Sequence, residues 1–302
     1  MCMKDVLNEC RLCPRNCSVN RNYGEVGFCK AGNEITIAKY YLHKWEEPCI
    51  TGDKGSGTIF FTYCNLRCLF CQNYKISTLN YGINISIEKF SDICLELQDM
   101  GATNINLVTP THFVPLIIDG LKLAKNRGLN IPIVYNSSGY ENVDTIRMLD
   151  GIIDIYLPDF KYYSNEYSVK YSKCYDYFKY ASLAIDEMIR QKGSCVFDKD
   201  GNIISGVIVR HLLLPGMEND SKKILKYLYD NYGDKIFISI MNQYTPIRKC
   251  EHEELNSKVD NNVYDDVIDY AWDIGIRNAF IQEDGSQSES FIPDFDLNSL
   301  TE

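Results

Sequence analysis

The chain of 302 residues has no apolar run long enough to cross a bilayer. A spanning helix needs about 20 consecutive apolar residues. Met1-Cys2-Met3-Lys4-Asp5 opens no apolar stretch, so no secretory leader is expected and the chain reads as cytoplasmic. Basic residues are short: 31 Lys and Arg stand against 41 Asp and Glu, a net charge of −10. That argues against nonspecific nucleic-acid binding, which depends on neutralising phosphates. Internal repeats and low-complexity linkers are also missing. Cysteine, by contrast, is abundant, with 13 residues. A reducing compartment leaves disulfides a poor explanation, and metal or cluster ligation becomes the leading one.

The cysteines are unevenly spread. Cys2, Cys10, Cys13, Cys17, Cys29, Cys64, Cys68 and Cys71 lie at short spacings near the start. Cys49, Cys94, Cys174, Cys195 and Cys250 are scattered and read as small buried hydrophobes or surface thiols. Residues 1–50 show little periodicity and suggest a small Cys-rich, metal-stapled extension. From Thr58 the pattern becomes apolar runs alternating with helical stretches. Strands are expected at 58–62, 104–108, 131–135, 152–157, 207–214, 236–240 and 279–282. Helices are expected at 87–100, 114–127, 143–149, 164–192, 221–232 and 263–272. About six β-α repeats argue for a parallel sheet with helical crossovers, a partial (β/α)6 TIM-like barrel over 51–282. Residues 283–302 read as a loosely held acidic tail.

Directly after the first barrel strand comes Cys64-Asn65-Leu66-Arg67-Cys68-Leu69-Phe70-Cys71. Three thiolates can hold three irons of a cubane and leave the fourth iron open. A structural or zinc-binding triplet is the blander reading of the same residues. The position at a strand's C-terminal end, where barrel sites form, weighs against it.

CxxxCxxC with the aromatic Phe70 before the last cysteine resembles the radical S-adenosylmethionine (SAM) signature. Trp45-Glu46-Glu47-Pro48-Cys49-Ile50-Thr51-Gly52, Gly55-Ser56-Gly57-Thr58-Ile59-Phe60-Phe61 and Cys71-Gln72-Asn73 continue the likeness. Together they resemble an uncharacterised branch of that superfamily related to pyruvate formate-lyase activating enzyme. The resemblance implies a [4Fe–4S] cluster on Cys64, Cys68 and Cys71. It implies SAM on the open iron, cleaved by one electron to methionine and a 5′-deoxyadenosyl radical that abstracts hydrogen. A low-potential donor, flavodoxin or ferredoxin, would supply the electron, and the enzyme would be an anaerobic oxidoreductase.

The same resemblance marks a SAM pocket. Phe70 and Asn73 belong to the cluster loop. The backbone of Thr109, Pro110 and Thr111 stands where the activating enzymes carry Gly-Gly-Glu, and would meet the SAM amino group. Asn136 follows the third strand and would reach the ribose, although a plain turn of Asn, Ser and Gly explains it nearly as well. Asp159 and Lys161 match the family's Asp-x-Lys, the acid on ribose and the base on the SAM carboxylate. Arg210 would approach that carboxylate too, and Gln243 the ribose. His112 reads equally as a cap or packing residue, and His211 as structural.

Cys10, Cys13, Cys17 and Cys29 supply four ligands, enough for tetrahedral zinc or for a second Fe–S cluster. Cys2 is not expected to join them. Two classes of function compete. One is a radical SAM enzyme acting on a partner protein, as in glycyl-radical activation, or on a peptide or small metabolite. The other is a non-catalytic Fe–S or zinc protein, which would carry a fourth ligand at the triad.

Overall fold

The computed structural model describes residues 3–282 and residue 295. Cys2 and nearly all of the 283–302 segment lie outside the described residues. Ten strands are present: β1 Ile35–His43, β2 Ser56–Phe61, β3 Ile83–Ile85, β4 Ile105–Val108, β5 Ile133–Ser137, β6 Ile155–Pro158, β7 Val196–Phe197, β8 Ile203–Leu212, β9 Phe237–Met241 and β10 Ala279–Ile281. The helices are α1 Pro48–Thr51, α2 Tyr74–Ser77, α3 Ile87–Asp99, α4 Val114–Asn126, α5 Val143–Arg147, α6 Asn165–Ser172, α7 Tyr177–Lys192, α8 Glu218–Tyr232 and α9 Asn261–Asp273.

Strands β2, β4, β5, β6, β8, β9 and β10 pair in that order and are all parallel. The fold is mixed α/β with a helical crossover after each strand, as the alternation predicts. Strands β4, β5 and β6 are buried at every position, as expected where helices cover one face and a filled interior the other. The ladder runs from β10 to β3 and does not close on itself.

Local signals explain the helix ends. Ser86 caps α3 by accepting from the Lys89 N–H, and Phe90, Ile93, Cys94 and Leu97 form its buried stripe. Ser164 caps α6 and Asp260 caps α9 in the same way. The helical stretch expected at 164–192 is two helices. Lys173 and Asp176 adopt left-handed backbone between them (φ 49° and 53°), which stops the first and restarts the second.

Strand β1 was not expected. It pairs antiparallel with β2, from Ile37 opposite Phe61 to His43 opposite Ser56, so it runs from the barrel's C-terminal rim down to its base. The chain then enters the barrel from below. Helix α1 packs Cys49 and Ile50 against Val134, Ile155, Leu157 and Ile208. The buried Asn104 donates to the Ile50 carbonyl at 2.7 Å and fixes this plug. The residues just before it, Glu46 and Glu47, thereby become the floor of the barrel cavity.

Gly139 (φ 74°) shows how tightly the opposite rim is packed. A Cβ there would stand 2.1 Å from the Asp159 carbonyl oxygen and 3.0 Å from the Tyr177 hydroxyl. Gly201 has a similar φ of 84° with nothing within 4 Å. Gly139→Ala should therefore cost at least ~2 kcal/mol more than Gly201→Ala, since only the former adds a backbone clash to the left-handed penalty. Denaturant melts of the two variants measure this. Equal losses would show that the close approach is absent.

Candidate active site

Strand β2 ends at Phe61, and Tyr63 turns the chain with left-handed backbone (φ 76°) into the Cys64–Cys71 loop. The loop is fastened on all sides. The buried Asn65 donates to the Tyr140 carbonyl at 2.7 Å. The Leu69 N–H reaches the Tyr171 carbonyl at 2.8 Å. Arg67 donates to the carbonyls of Cys64 and Leu66, and across to that of Phe28, at 2.7–2.8 Å. Arg15 bonds the Asn65 carbonyl at 3.0 Å, and both guanidiniums lie over the Phe28 ring, at 3.7 and 4.8 Å from its centroid.

Each of the three sulfurs has a polar neighbour. The Leu66 N–H points at Cys64 Sγ (3.3 Å), and the Ser172 hydroxyl donates to Cys68 Sγ (3.0 Å). Ser77 Oγ lies 3.2 Å from Cys71 Sγ. Burial pushes the Cys64 thiol up to about 12 and the Cys68 thiol up to about 11. Without a metal these groups stay protonated, and the metal's charge is what makes them thiolates.

The loop roofs a cavity of about 430 Å³. Its walls are the C-terminal halves of the strands. Arg210, on β8, sits at its centre. Its guanidinium reaches Asp159 Oδ1 (3.1 Å), Glu46 Oε2 (3.2 Å) and Asn136 Oδ1 (2.6 Å). Lys161 Nζ holds the other Asp159 oxygen at 2.6 Å. Burial alone would raise the Asp159 pKa, but Lys161 and Arg210 outweigh it and hold the carboxyl below its usual range. Burial wins at Glu46, raising it despite Arg210 and the Asn106 amide at 3.0 Å. Glu47 is likewise raised by burial, and its Oε2 has no partner.

A family model described as the radical SAM superfamily matches residues 58–228. The chain belongs to the radical SAM superfamily. It is 31% identical over 267 residues to the uncharacterized protein MJ0674 of Methanocaldococcus jannaschii, covering 85% of this chain and 72% of that one. Among solved structures it resembles HydG, a maturase of the [FeFe]-hydrogenase (TM-score 0.53, 14% identity, 76% of this chain and 52% of HydG). It also resembles a radical SAM methyltransferase from Sphaerobacter thermophilus (0.52, 13%, 76% and 67%). A third is Streptococcus suis SuiB bound to S-adenosylmethionine (0.50, 12%, 74% and 48%). The chain thus spans about half the length of HydG and of SuiB. These likenesses show the fold.

The superfamily's cofactors are a [4Fe–4S] cluster and SAM, and the residues present fit them. The triad offers three thiols beside a cavity that holds paired cations and acids. Among the described residues no three Cys, His, Asp or Glu side chains gather tightly enough for one metal ion. A cubane spreads its thiolate ligands around a cube, so open spacing suits a cluster. When bound, the cluster supplies one electron to the SAM sulfonium.

Most of the radical SAM pocket residues expected from sequence are brought together. Phe70, Asn73, Thr109, Asn136, Asp159, Lys161, Arg210 and Gln243 all line the cavity with Cys64, Cys68 and Cys71. Pro110 and Thr111 are not among the residues that line it. Thr109 takes a left-handed turn (φ 61°) while its N–H bonds the Asn136 carbonyl, and the chain leaves the rim there. The Thr111 hydroxyl donates instead to the buried Glu141 at 2.6 Å. Burial raises the Glu141 carboxyl to about 8, and its oxygens accept from the Thr111 and Tyr135 hydroxyls. His211 stands on the other face of β8, bonded to the Phe160 carbonyl and Ser221.

Glu46 and Glu47 are the site residues that sequence reasoning passed over. In the sequence their segment carries only its likeness to the family. The acids have no local basic partner, because the plug that carries them finds its partners far along the chain.

The other cysteines form a second place. Cys10, Cys13, Cys17 and Cys29 line one small cavity together with Arg21 and His112. No helix among the described residues is long and apolar enough to cross a membrane.

Proposed function

We propose that this protein is a radical SAM oxidoreductase that uses a cluster on Cys64, Cys68 and Cys71 to cleave SAM reductively for hydrogen abstraction. The carrying observation is the triad of half-buried thiols with polar neighbours that share one cavity with Lys161 and Arg210. In this reading Lys161 and Arg210 bind the SAM carboxylate, and Asp159 and Asn136 orient the ribose. Phe70 excludes water beside the cluster. A low-potential donor such as flavodoxin or ferredoxin supplies the electron. The sequence likeness to activating enzymes supports a protein substrate whose glycine loses the hydrogen. We also assign a second metal centre to the cysteines of residues 10–29, whose segment has few apolar residues to fold around.

Protein purified without oxygen and reconstituted with iron and sulfide should show a [4Fe–4S] EPR signal on reduction. Adding SAM should change that signal, because the ligand joins the open iron. An unchanged signal, with SAM binding verified by calorimetry, would remove the open-iron reading.

A further inference from the structure

We infer that His112 is a ligand of the second metal centre, its Nδ1 joining three of the four thiolates of Cys10, Cys13, Cys17 and Cys29 around an iron–sulfur cluster. This rests on the assignment of a metal to those cysteines. His112 lies in the turn after β4 and is 2% exposed. Its Nε2 is 2.8 Å from the Thr62 carbonyl. A carbonyl only accepts, so Nε2 carries the hydrogen and the neutral ring leaves Nδ1 as a bare lone pair. That atom is buried without any partner, and His112 is one of the residues that line the cavity of the four cysteines. Metal-bound histidines regularly donate their second ring N–H to a carbonyl, which is the arrangement at Thr62.

A second observation points to anionic sulfur in the same place. Arg21 is 1% exposed. Its guanidinium donates to the carbonyls of His112 (2.6 Å) and Gly32 and lies 3.9 Å from Cys10 Sγ. Among the described residues no acid pairs with it. A buried guanidinium needs a counter-charge, and metal-bound thiolates provide one. The choice of a cluster over zinc follows from spacing. These donors, like the Cys64 triad, do not gather around a single-ion position. A fully ligated cluster, unlike the one on Cys64, Cys68 and Cys71, takes four protein donors, as does tetrahedral zinc. Five candidates are present, so one cysteine is spare.

The test uses full-length protein carrying Cys64→Ala, Cys68→Ala and Cys71→Ala, purified anaerobically and analysed for iron, sulfide and zinc. It should keep a cluster, and the unsubstituted chain should hold about eight irons rather than four. Adding His112→Ala should lower the iron content of the remaining site, or shift its reduction potential down where the spare cysteine takes the vacated position. His112→Cys should refill it at a lower reduction potential, since thiolate replaces imidazole. One of the four single Cys→Ser changes should leave it intact. If the unsubstituted protein holds only four irons and the triple variant none, the second centre itself is refuted. Zinc in place of iron refutes the cluster. If His112→Ala leaves iron content, spectrum and potential unchanged, the centre stands and His112 is not its ligand.

Discussion

Replacing Cys64, Cys68 and Cys71 together by Ala should abolish formation of 5′-deoxyadenosine from SAM. Each thiol is one of three attachment points for the cluster, and a cubane missing its holders has no route to reduce a sulfonium. The loss should be to background, since no other described group in the cavity can carry an electron. The fold should survive. The loop is fastened by Asn65, Arg67 and backbone bonds from Leu69, none of which uses sulfur. Cys94→Ala is the matched control. That thiol is fully buried inside the core under α3. Its removal should cost about 1 kcal/mol of stability while leaving SAM cleavage unchanged. Product chromatography with a chemical reductant reads both variants. Cleavage persisting in the triple variant, or vanishing in Cys94→Ala, would contradict the assignment.

Arg210→Ala should have the second largest effect, and on two quantities at once. The guanidinium offsets Glu46 and Asp159, whose side chains are only 9% and 16% exposed. Its removal strands the buried Glu46 carboxyl and leaves Asp159 with Lys161 alone, a loss of about 3–5 kcal/mol. For a chain of this size that is a fall in Tm of roughly 5–8 °C. SAM affinity should drop as well, by about 1.5–3 kcal/mol, or roughly 10–150-fold. Glu46→Gln separates the two. The double variant Arg210→Ala, Glu46→Gln no longer buries a lone charge, so stability should recover while SAM affinity stays low. Recovery of both would make Arg210 a structural ion-pair member and nothing more. The pH sign also follows. Burial already raises Glu46, and losing Arg210 raises it further. The stability deficit of Arg210→Ala should therefore shrink on acidification, where the carboxyl is protonated in folded and unfolded chains alike. Arg210→Lys should restore part of the stability and less of the affinity, because an ammonium cannot make the forked contact.

The barrel was legible because its signals are local. Apolar runs such as Ile133-Val134-Tyr135 announce buried parallel strands, and the triad spans eight consecutive residues. Asp159, Lys161 and Arg210 were legible because strand ends share one rim. Strand β1 was not, since Ile35–His43 follows a Cys- and Gly-rich segment and carries a register shift between Ile37 and Lys39. Glu46 was hidden for another reason. Its partners Asn106, Asn136 and Arg210 lie 60, 90 and 164 positions away. Only the α1 plug brings them together. The hydroxyl partner of Thr111, Glu141, is likewise hidden from its neighbours in sequence, 30 positions away.

The Phe28 ring lies under Arg15, from the Cys-rich segment, and Arg67, from the triad loop, while each arginine bonds the other segment's backbone. Two loops sewn together in this way share one free energy of ordering. Anything that tightens residues 10–29 narrows the motions of residues 64–71, and the influence runs back with equal strength. The loop's rigidity is therefore a joint property, and part of it belongs to residues that do not line the cavity it roofs.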